Sequence, residues 1–237
     1  MAKESNLKVK PMEQNYQCRF CKTSFHKETT LSTHMCVKKR RHMESDTPGS
    51  RFGFRTFQRF YELTMNSKKL KTMAEFIDSS YYIEFVKFGH HLASLKPIYP
   101  DQFIEFVIRN SVKLKDWTKD FVYDTYVQDL IKREPPVSAV ERSITTMMDW
   151  CDKNSVPFDK FFSSVSANEA AHMIRVGKIS PWVLYLSLAG DDLMVRFNEE
   201  HAKIIGDIID PGFWMKKFKK LSDDVDYIKD ILGQAGL

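Results

Sequence analysis

The sequence has few cysteines, glycines and prolines, and each shortage argues against a class of protein. Only four cysteines occur in 237 residues; three lie close together, at Cys18, Cys21 and Cys36, while Cys151 stands alone. This usage is typical of metal binding in a reducing cytosol and argues against a disulfide framework. Glycine and proline number nine each, which is too few for a chain that is disordered over most of its length.

Long hydrophobic runs are also missing. The most apolar stretch, residues 181–190, is about half of the roughly 20 residues that a membrane helix needs. No basic-then-apolar leader opens the sequence, so we expect no signal peptide and no membrane partner. These features together predict a cytoplasmic protein.

Catalytic motifs are missing as well. The sequence contains no phosphate-binding GxxxxGK[ST] loop, no G-x-S-x-G and no H-E-x-x-H. His90 and His91 are adjacent in a helical segment, where neighbouring side chains do not converge on one ion. A metal-dependent nuclease would need carboxylates from separate elements to converge. We therefore predict a protein that is not an enzyme.

Residues 16–42, YQCRFCKTSFHKETTLSTHMCVKKRRH, are the one stretch whose spacing dictates chemistry. Cys18 and Cys21 form a C-x2-C pair, and His34 follows in the position of a third ligand. Zinc binds four nitrogen or sulfur ligands tetrahedrally, and metal binding supplies the folding free energy of so short a unit. The pattern predicts a ββα zinc finger, with a small core formed by Tyr16, Phe25 and Leu31 and a helix over about 27–34.

The fourth zinc ligand is ambiguous in the sequence, because the usual positions hold lysine and arginine. Cys36 can serve if the helix ends at His34, since residues two apart on a helix face different sides. His42 lies eight residues beyond His34, about 12 Å along a continuous helix, so it would require the chain to unwind. We favour Cys36 and retain His42 as the alternative.

Positive charge is concentrated at the beginning of the sequence. Residues 1–59 hold 13 Lys and Arg against 5 Asp and Glu, a balance of +8, whereas residues 60–237 hold 23 against 26, a balance of −3. A basic arm beside a zinc finger favours nucleic-acid binding, although a solvated tail is the simpler alternative. The candidate phosphate contacts are Lys38, Lys39, Arg40, Arg41, Arg51, Arg55 and Arg59.

Residues 51–61, RFGFRTFQRFY, interleave arginines with aromatic residues. Arginine binds phosphates and aromatic faces stack on unpaired bases, so the composition suits forked or single-stranded DNA. Phe54, Phe57 and Tyr61 also recur at helical spacing, which is typical of a buried face. We expect most of the aromatics to be buried and Arg51, Arg55 and Arg59 to form an exposed basic ridge.

The remaining sequence shows helical periodicity throughout, including one apolar stripe over 72–95. The predicted fold is mainly α: a small ββα zinc finger, then a linker and an all-helical domain that could divide into two lobes. The predicted segments are a flexible basic lead at 1–14, the finger at 15–42, a basic linker at 43–55, and helical lobes at 56–152 and 153–237.

Two family resemblances follow from these residues. Residues 16–42 resemble a C2H2 or C2HC zinc finger. The helical part resembles the helicase-assembly (helicase-loader) protein of T-even-type bacteriophages in three stretches: FIEFVIRNSVKLKDW, FVYDTYVQDLIKRE and MIRVGKISPWVLYLSL leading to DPGFWMKKFKKL. That resemblance implies an all-helical, two-lobed protein in the infected bacterial cytoplasm that binds forked or single-stranded DNA, contacts the single-strand-binding protein and loads the replicative helicase.

We therefore expect a non-enzymatic DNA-binding accessory protein of replication or transcription. The alternative is a protein-interaction or virion assembly factor whose zinc finger is purely structural.

Overall fold

The computed structural model describes residues 15–65 and 69–237, and the basic lead predicted at 1–14 lies outside them. The described chain is mainly helical, with one small two-stranded sheet near its N-terminus, which confirms the predicted fold class. It separates into two compact units, the first ending at Ser94 and the second beginning at Leu95. This differs from the predicted lobe boundary at 152/153, which falls inside a helix because α8 (Pro136–Asn154) continues through it.

The first unit begins with the strands β1 (Tyr16–Gln17) and β2 (Ser24–Phe25), which pair antiparallel with Tyr16 opposite Phe25. Its helices are α1 (Glu28–Thr33), α2 (Val37–Met43), α3 (Pro48–Met65), α4 (Met73–Asp78) and α5 (Tyr82–Leu95). The strands and α1 form the ββα unit that the sequence predicted.

Helix α3 corrects the linker that was predicted at 43–55. The Pro-Gly-Ser composition of 48–50 suggested irregular chain, but Pro48 occupies the first position of the helix, where its missing N–H costs nothing. Thr47 supports this start, because its hydroxyl accepts a hydrogen bond from the N–H of Ser50 at 3.3 Å. Helix α3 therefore begins eight residues before the predicted start of the helical lobe at 56.

Glycines allow α3 and α5 to approach each other closely. A Cβ added at Gly53 would lie 2.8 Å from the carbonyl oxygen of Phe85. One added at Gly89 would collide with the carbonyl oxygen of Gly49 and with the N–H of Gly53. Phe57 on α3 and Phe85 on α5 are buried at this crossing with rings 5.5 Å apart. Gly49 and Gly53 therefore allow α3 to pack closely against α5.

The apolar stripe over 72–95 forms two helices. Helix α4 starts with a capping box, in which the Thr72 hydroxyl accepts from the N–H of Glu75 and the Glu75 carboxylate accepts from the N–H of Thr72. The helix ends at Ser79, whose extended backbone interrupts the stripe before α5 begins at Tyr82.

The second unit is helical throughout its described length. Its helices are α6 (Pro100–Arg109), α7 (Asp120–Arg133), α8 (Pro136–Asn154), α9 (Phe161–Ser164), α10 (Ala167–Arg175), α11 (Pro181–Leu186), α12 (Leu188–Val195), α13 (Glu199–Ile205), α14 (Pro211–Lys220) and α15 (Ser222–Gln234), with 3-10 turns at Leu114–Asp116 and Phe158–Lys160. Helix α11 lies at the centre, because it buries Trp182, Val183 and Leu184 and packs against α8, α12 and α15.

Candidate metal centre and basic surface

The hairpin between β1 and β2 brings the first two cysteines together. The N–H of Cys18 donates to the carbonyl oxygen of Thr23, and the N–H of Lys22 donates to that of Cys18, both at 2.9 Å. Lys22 adopts a left-handed conformation with φ of 62°, which closes the turn tightly. The turn therefore brings both sulfurs close enough to share one ion, as the C-x2-C spacing predicts.

The end of α1 positions the other two ligand candidates. Helix α1 stops at Thr33, and His34 is extended with φ of −65° and ψ of 123°. Because the chain leaves the helix here, Cys36 turns back toward the hairpin. The ligand atoms of Cys18, Cys21, His34 and Cys36 all lie within 4.8 Å of one another.

His42, the alternative fourth ligand, is not part of this cluster. It lies near the end of α2, and its exposed ring sits against Phe20, with 5.2 Å between the ring centroids. Only one of the two candidates from the sequence therefore joins the other three ligands.

The donor set fits a tetrahedral metal ion. Zinc–sulfur bonds of about 2.3 Å place two tetrahedral sulfur ligands about 3.8 Å apart. The four ligand atoms lie within 4.8 Å of one another, at most about 1 Å wider than that spacing, and Cys21 Sγ lies 3.3 Å from Nε2 of His34. Three sulfurs and one imidazole nitrogen are soft-to-borderline donors, which suit zinc better than calcium or magnesium.

The environment of the cysteines differs from one thiol to the next. Hydrogen bonding to the side chain and backbone of Thr23 lowers the pKa of Cys21 to about 6. Burial raises the pKa of the Cys36 thiol, against the hydrogen bond that its sulfur accepts from the N–H of Lys39. Cys36 is also the N-cap residue of α2, so the fourth member of the cluster is the start of the next helix.

The basic run after Cys36 is largely committed to contacts within the first unit. Lys38 forms an ion pair with Asp78 at 2.7 Å, and Lys39 donates to the carbonyl oxygen of His34 at 3.1 Å. Arg41 donates to the carbonyl oxygen of Ile77 at 2.6 Å and to that of Ser79 at 3.3 Å, across the break between α4 and α5.

Arg40 differs from its neighbours because its side chain is exposed. The sequence predicted four equivalent phosphate contacts at Lys38, Lys39, Arg40 and Arg41. In the structure their side chains differ, because three of them contact other parts of the first unit and that of Arg40 is exposed. The partners of Lys38 and Arg41 lie more than thirty residues away, so no local signal in the sequence could have identified them.

The predicted ridge on α3 is present as a row of arginines. Arg51 and Arg55 are exposed, and Arg59 is partly exposed. Their spacing of four residues places them on one face. The face that packs inward buries Gly53, Thr56 and Phe57. The expectation that most aromatics of 51–61 are buried is wrong, because only Phe57 is buried and the other four are half-buried. Arg51 pairs with Asp46 at 3.0 Å and Arg59 with Glu62 at 2.7 Å; these acidic partners are themselves well exposed, so the ion pairs are solvated and weak.

Comparisons with known proteins return nothing for this chain: no family model, no curated protein and no solved structure matches it. The resemblance to phage helicase-assembly proteins therefore has no support from these comparisons. Among the described helices, none combines the length and apolar character that crossing a membrane requires.

Proposed function

We propose that the Cys3His cluster binds one zinc ion and that the ion is structural. The convergence of Cys18, Cys21, His34 and Cys36 within 4.8 Å carries this proposal. Four protein ligands complete a tetrahedron and leave no position for a substrate, which is the arrangement of structural zinc sites. The ββα segment buries few side chains besides Cys18, so metal coordination would supply most of its folding free energy.

We further propose that the chain is a non-enzymatic DNA-binding accessory protein of replication or transcription. The observation that supports it is the row of Arg51, Arg55 and Arg59 along one face of α3, in a segment of the sequence with a strong excess of positive charge. Arg40, which is exposed on α2, is a further candidate phosphate contact. Loading of a replicative helicase, with the single-strand-binding protein as a second partner and forked or single-stranded DNA as ligand, is the specific form of this proposal.

A second candidate is a protein-interaction or virion assembly factor with a purely structural zinc finger. The contacts of Lys38 and Arg41 favour it, because they use two of the basic residues to hold α2 against α4 and α5. A finger fixed in this way could stabilise the first unit and have no role in DNA binding.

A DNA-binding titration distinguishes the two candidates. Fluorescence anisotropy with single-stranded, forked and duplex DNA over a series of salt concentrations would compare the parent with R51Q/R55Q/R59Q. On single-stranded DNA, the logarithm of the binding constant falls with the logarithm of the salt concentration, and each phosphate contact contributes about 0.7 to the magnitude of that slope. If all three arginines bind phosphate, the triple variant reduces the magnitude of that slope by about 2.

The matched control removes three exposed lysines of the second unit, Lys153, Lys203 and Lys229, each changed to Gln. It changes the net charge equally and should leave the slope within about 0.5 of the parent value, since non-contacting charges release few counterions. No measurable DNA binding by the parent at low salt would reject the DNA-binding proposal and leave the structural finger. An equal reduction of the salt slope in both triple variants would mean that the net charge alone attracts DNA.

A further inference from the structure

Helix α12 of the second unit presents an exposed face that is apolar at both ends and acidic in the middle. Leu188, Asp191, Asp192 and Val195 recur at i, i+3, i+4 and i+7, the spacing of one helix face, and all four are exposed. Leu188 and Val195 are 89% and 86% exposed, the highest values of any large apolar side chain in the described chain. Two carboxylates therefore lie between two apolar side chains that the fold leaves uncovered.

Both ends of α12 are fixed to the second unit, so this face has a defined position. At the start, the Ser187 hydroxyl accepts a hydrogen bond from the N–H of Gly190 at 3.0 Å, and Gly190 packs so closely on the carbonyl oxygen of Leu184 that a Cβ would collide with it. At the end, the guanidinium of Arg196 donates to the carbonyl oxygens of Val165, at 2.9 Å, and Phe162.

Helix α14 of the same unit presents a face of opposite charge. Met215, Lys216, Lys219 and Lys220 are exposed, and Met215 is 61% exposed. On the inner side, Trp214 is buried, and Lys217 turns inward, with Nζ 4.8 Å from the Trp214 ring centroid and 3.1 Å from the carbonyl oxygen of Lys132. One lysine of the run therefore stabilises the fold, and three project outward beside an apolar side chain.

The charged groups on both faces are available to a partner. Among the ion pairs of residues 15–65 and 69–237, none involves Asp191, Asp192, Lys216, Lys219 or Lys220. Asp116 and Asp129 of the same unit, which are half-buried, form ion pairs with Lys119 and Arg133.

We propose that α12 of one copy of this chain docks against α14 of a second copy. Charge complementarity identifies the occupant: the acidic centre of α12 meets the lysines of α14, while Leu188 and Val195 gain apolar contacts with Met215 and the lysine stems. Because each copy carries both faces, a two-fold dimer makes the contact twice. Two helices of 8 and 10 residues form a small interface, so the association is weak and concentration-dependent.

Sedimentation velocity on the full chain tests this proposal. The protein is purified free of nucleic acid, so that DNA cannot bridge the basic first units, and measured from a few micromolar to several hundred micromolar. The parent should shift from monomer toward dimer with rising concentration. High salt should weaken the shift, since it screens the exposed charges. A parent that stays monomeric at the highest concentration at low salt overturns the proposal.

Charge reversal identifies the two faces. D191K/D192K makes both faces basic, and K219E/K220E makes both acidic, so each variant alone should associate at least about tenfold more weakly than the parent. Mixing the two variants makes both contacts of a two-fold dimer complementary again and should restore association. Failure of the mixture to associate would overturn the pairing of α12 with α14.

A matched control separates this interface from a general charge effect. D226K/D230K reverses two exposed carboxylates on α15 and changes the net charge as much as D191K/D192K does. It should dimerise like the parent. Equal weakening in both variants would contradict a specific face on α12, and circular dichroism of each variant establishes that it is folded.

Discussion

The guanidinium of Arg41 lies over the ring of Tyr82, with 4.3 Å between Arg41 Cζ and the ring centroid. The same group donates to the carbonyl oxygens of Ile77 and Ser79, at the break between α4 and α5. One side chain thereby fixes α2, which starts at the proposed zinc ligand Cys36, to the helices that follow. The structure assigns Arg41 to packing, whereas the sequence suggested a phosphate contact.

Changing Arg41 to Gln should destabilise the first unit by about 2 kcal/mol, because it removes hydrogen bonds from a charged donor and a cation–π contact. Changing the exposed Arg40 to Gln should stay within about 0.5 kcal/mol of the parent. All four tryptophans lie beyond residue 94 and report the second unit, so amide hydrogen exchange in α4 and α5 is the suitable measurement. If the amides of α4 and α5 were equally protected from exchange in Arg41→Gln and Arg40→Gln, the packing role of Arg41 would be contradicted.

Gly89 should not tolerate a side chain. An alanine Cβ there collides with backbone atoms of α3, which cannot move without separating the two helices. Gly89→Ala should cost about 3 kcal/mol or more, as overpacking against backbone does. Gly233→Ala on α15 is the control, since nothing lies within 4 Å of its Cβ, and helix propensity should make that variant more stable by about 0.5–1 kcal/mol.

Thermal unfolding by far-ultraviolet circular dichroism compares these two glycine variants. The predicted order of midpoints is Gly233→Ala above the parent and Gly89→Ala well below it. A Gly89→Ala midpoint equal to that of the parent would mean that α3 and α5 do not cross as closely as described.

The capping box of α4 should respond to acid. The hydrogen bond from Lys71, followed by the bonds from Thr72, lowers the pKa of Glu75 from 4.5 to about 2. A carboxylate with a lowered pKa in the folded state stabilises the protein above its unfolded pKa, and this contribution is lost as the pH falls through its folded pKa. The stability difference between the parent and Glu75→Gln should be constant near neutral pH and should shrink between about pH 4.5 and 2.

Carbon-13 NMR of the Glu75 carboxyl measures this pKa directly. Lys71→Met provides the comparison, because removing the largest cause of the shift should raise the pKa of Glu75 back toward 4.5. A Glu75 pKa that is near 4.5 in the parent, or unchanged by Lys71→Met, would contradict the hydrogen-bonded capping box.

Local spacing made part of this site predictable. Cys18, Cys21 and His34 follow from the hairpin and one helical turn, and helix α1 lies within one residue of the predicted range. The choice between Cys36 and His42 depends on the backbone of His34, which leaves the helix at ψ of 123°, and the sequence offered no glycine or proline to mark that end.

The contacts of the basic run were not predictable for a different reason. Ser79, which receives Arg41, is 38 residues away, so the role of Arg41 depends on how α2 and α4 pack. The start of α3 was missed because Pro48, Gly49 and Ser50 have the composition of a linker. Their places at the start of a helix and at its close crossing with α5 depend on tertiary packing.

The zinc content of the chain and of two variants tests the central claim most directly. Native mass spectrometry of protein purified under reducing conditions should show one zinc ion per chain. Cys36→Ser should lose affinity by more than the roughly 10–100-fold that removal of an outer-sphere partner costs, since it removes a ligand. His42→Ala should retain the metal like the parent. A parent without zinc, or a Cys36→Ser variant that keeps zinc while His42→Ala loses it, would contradict the Cys3His site.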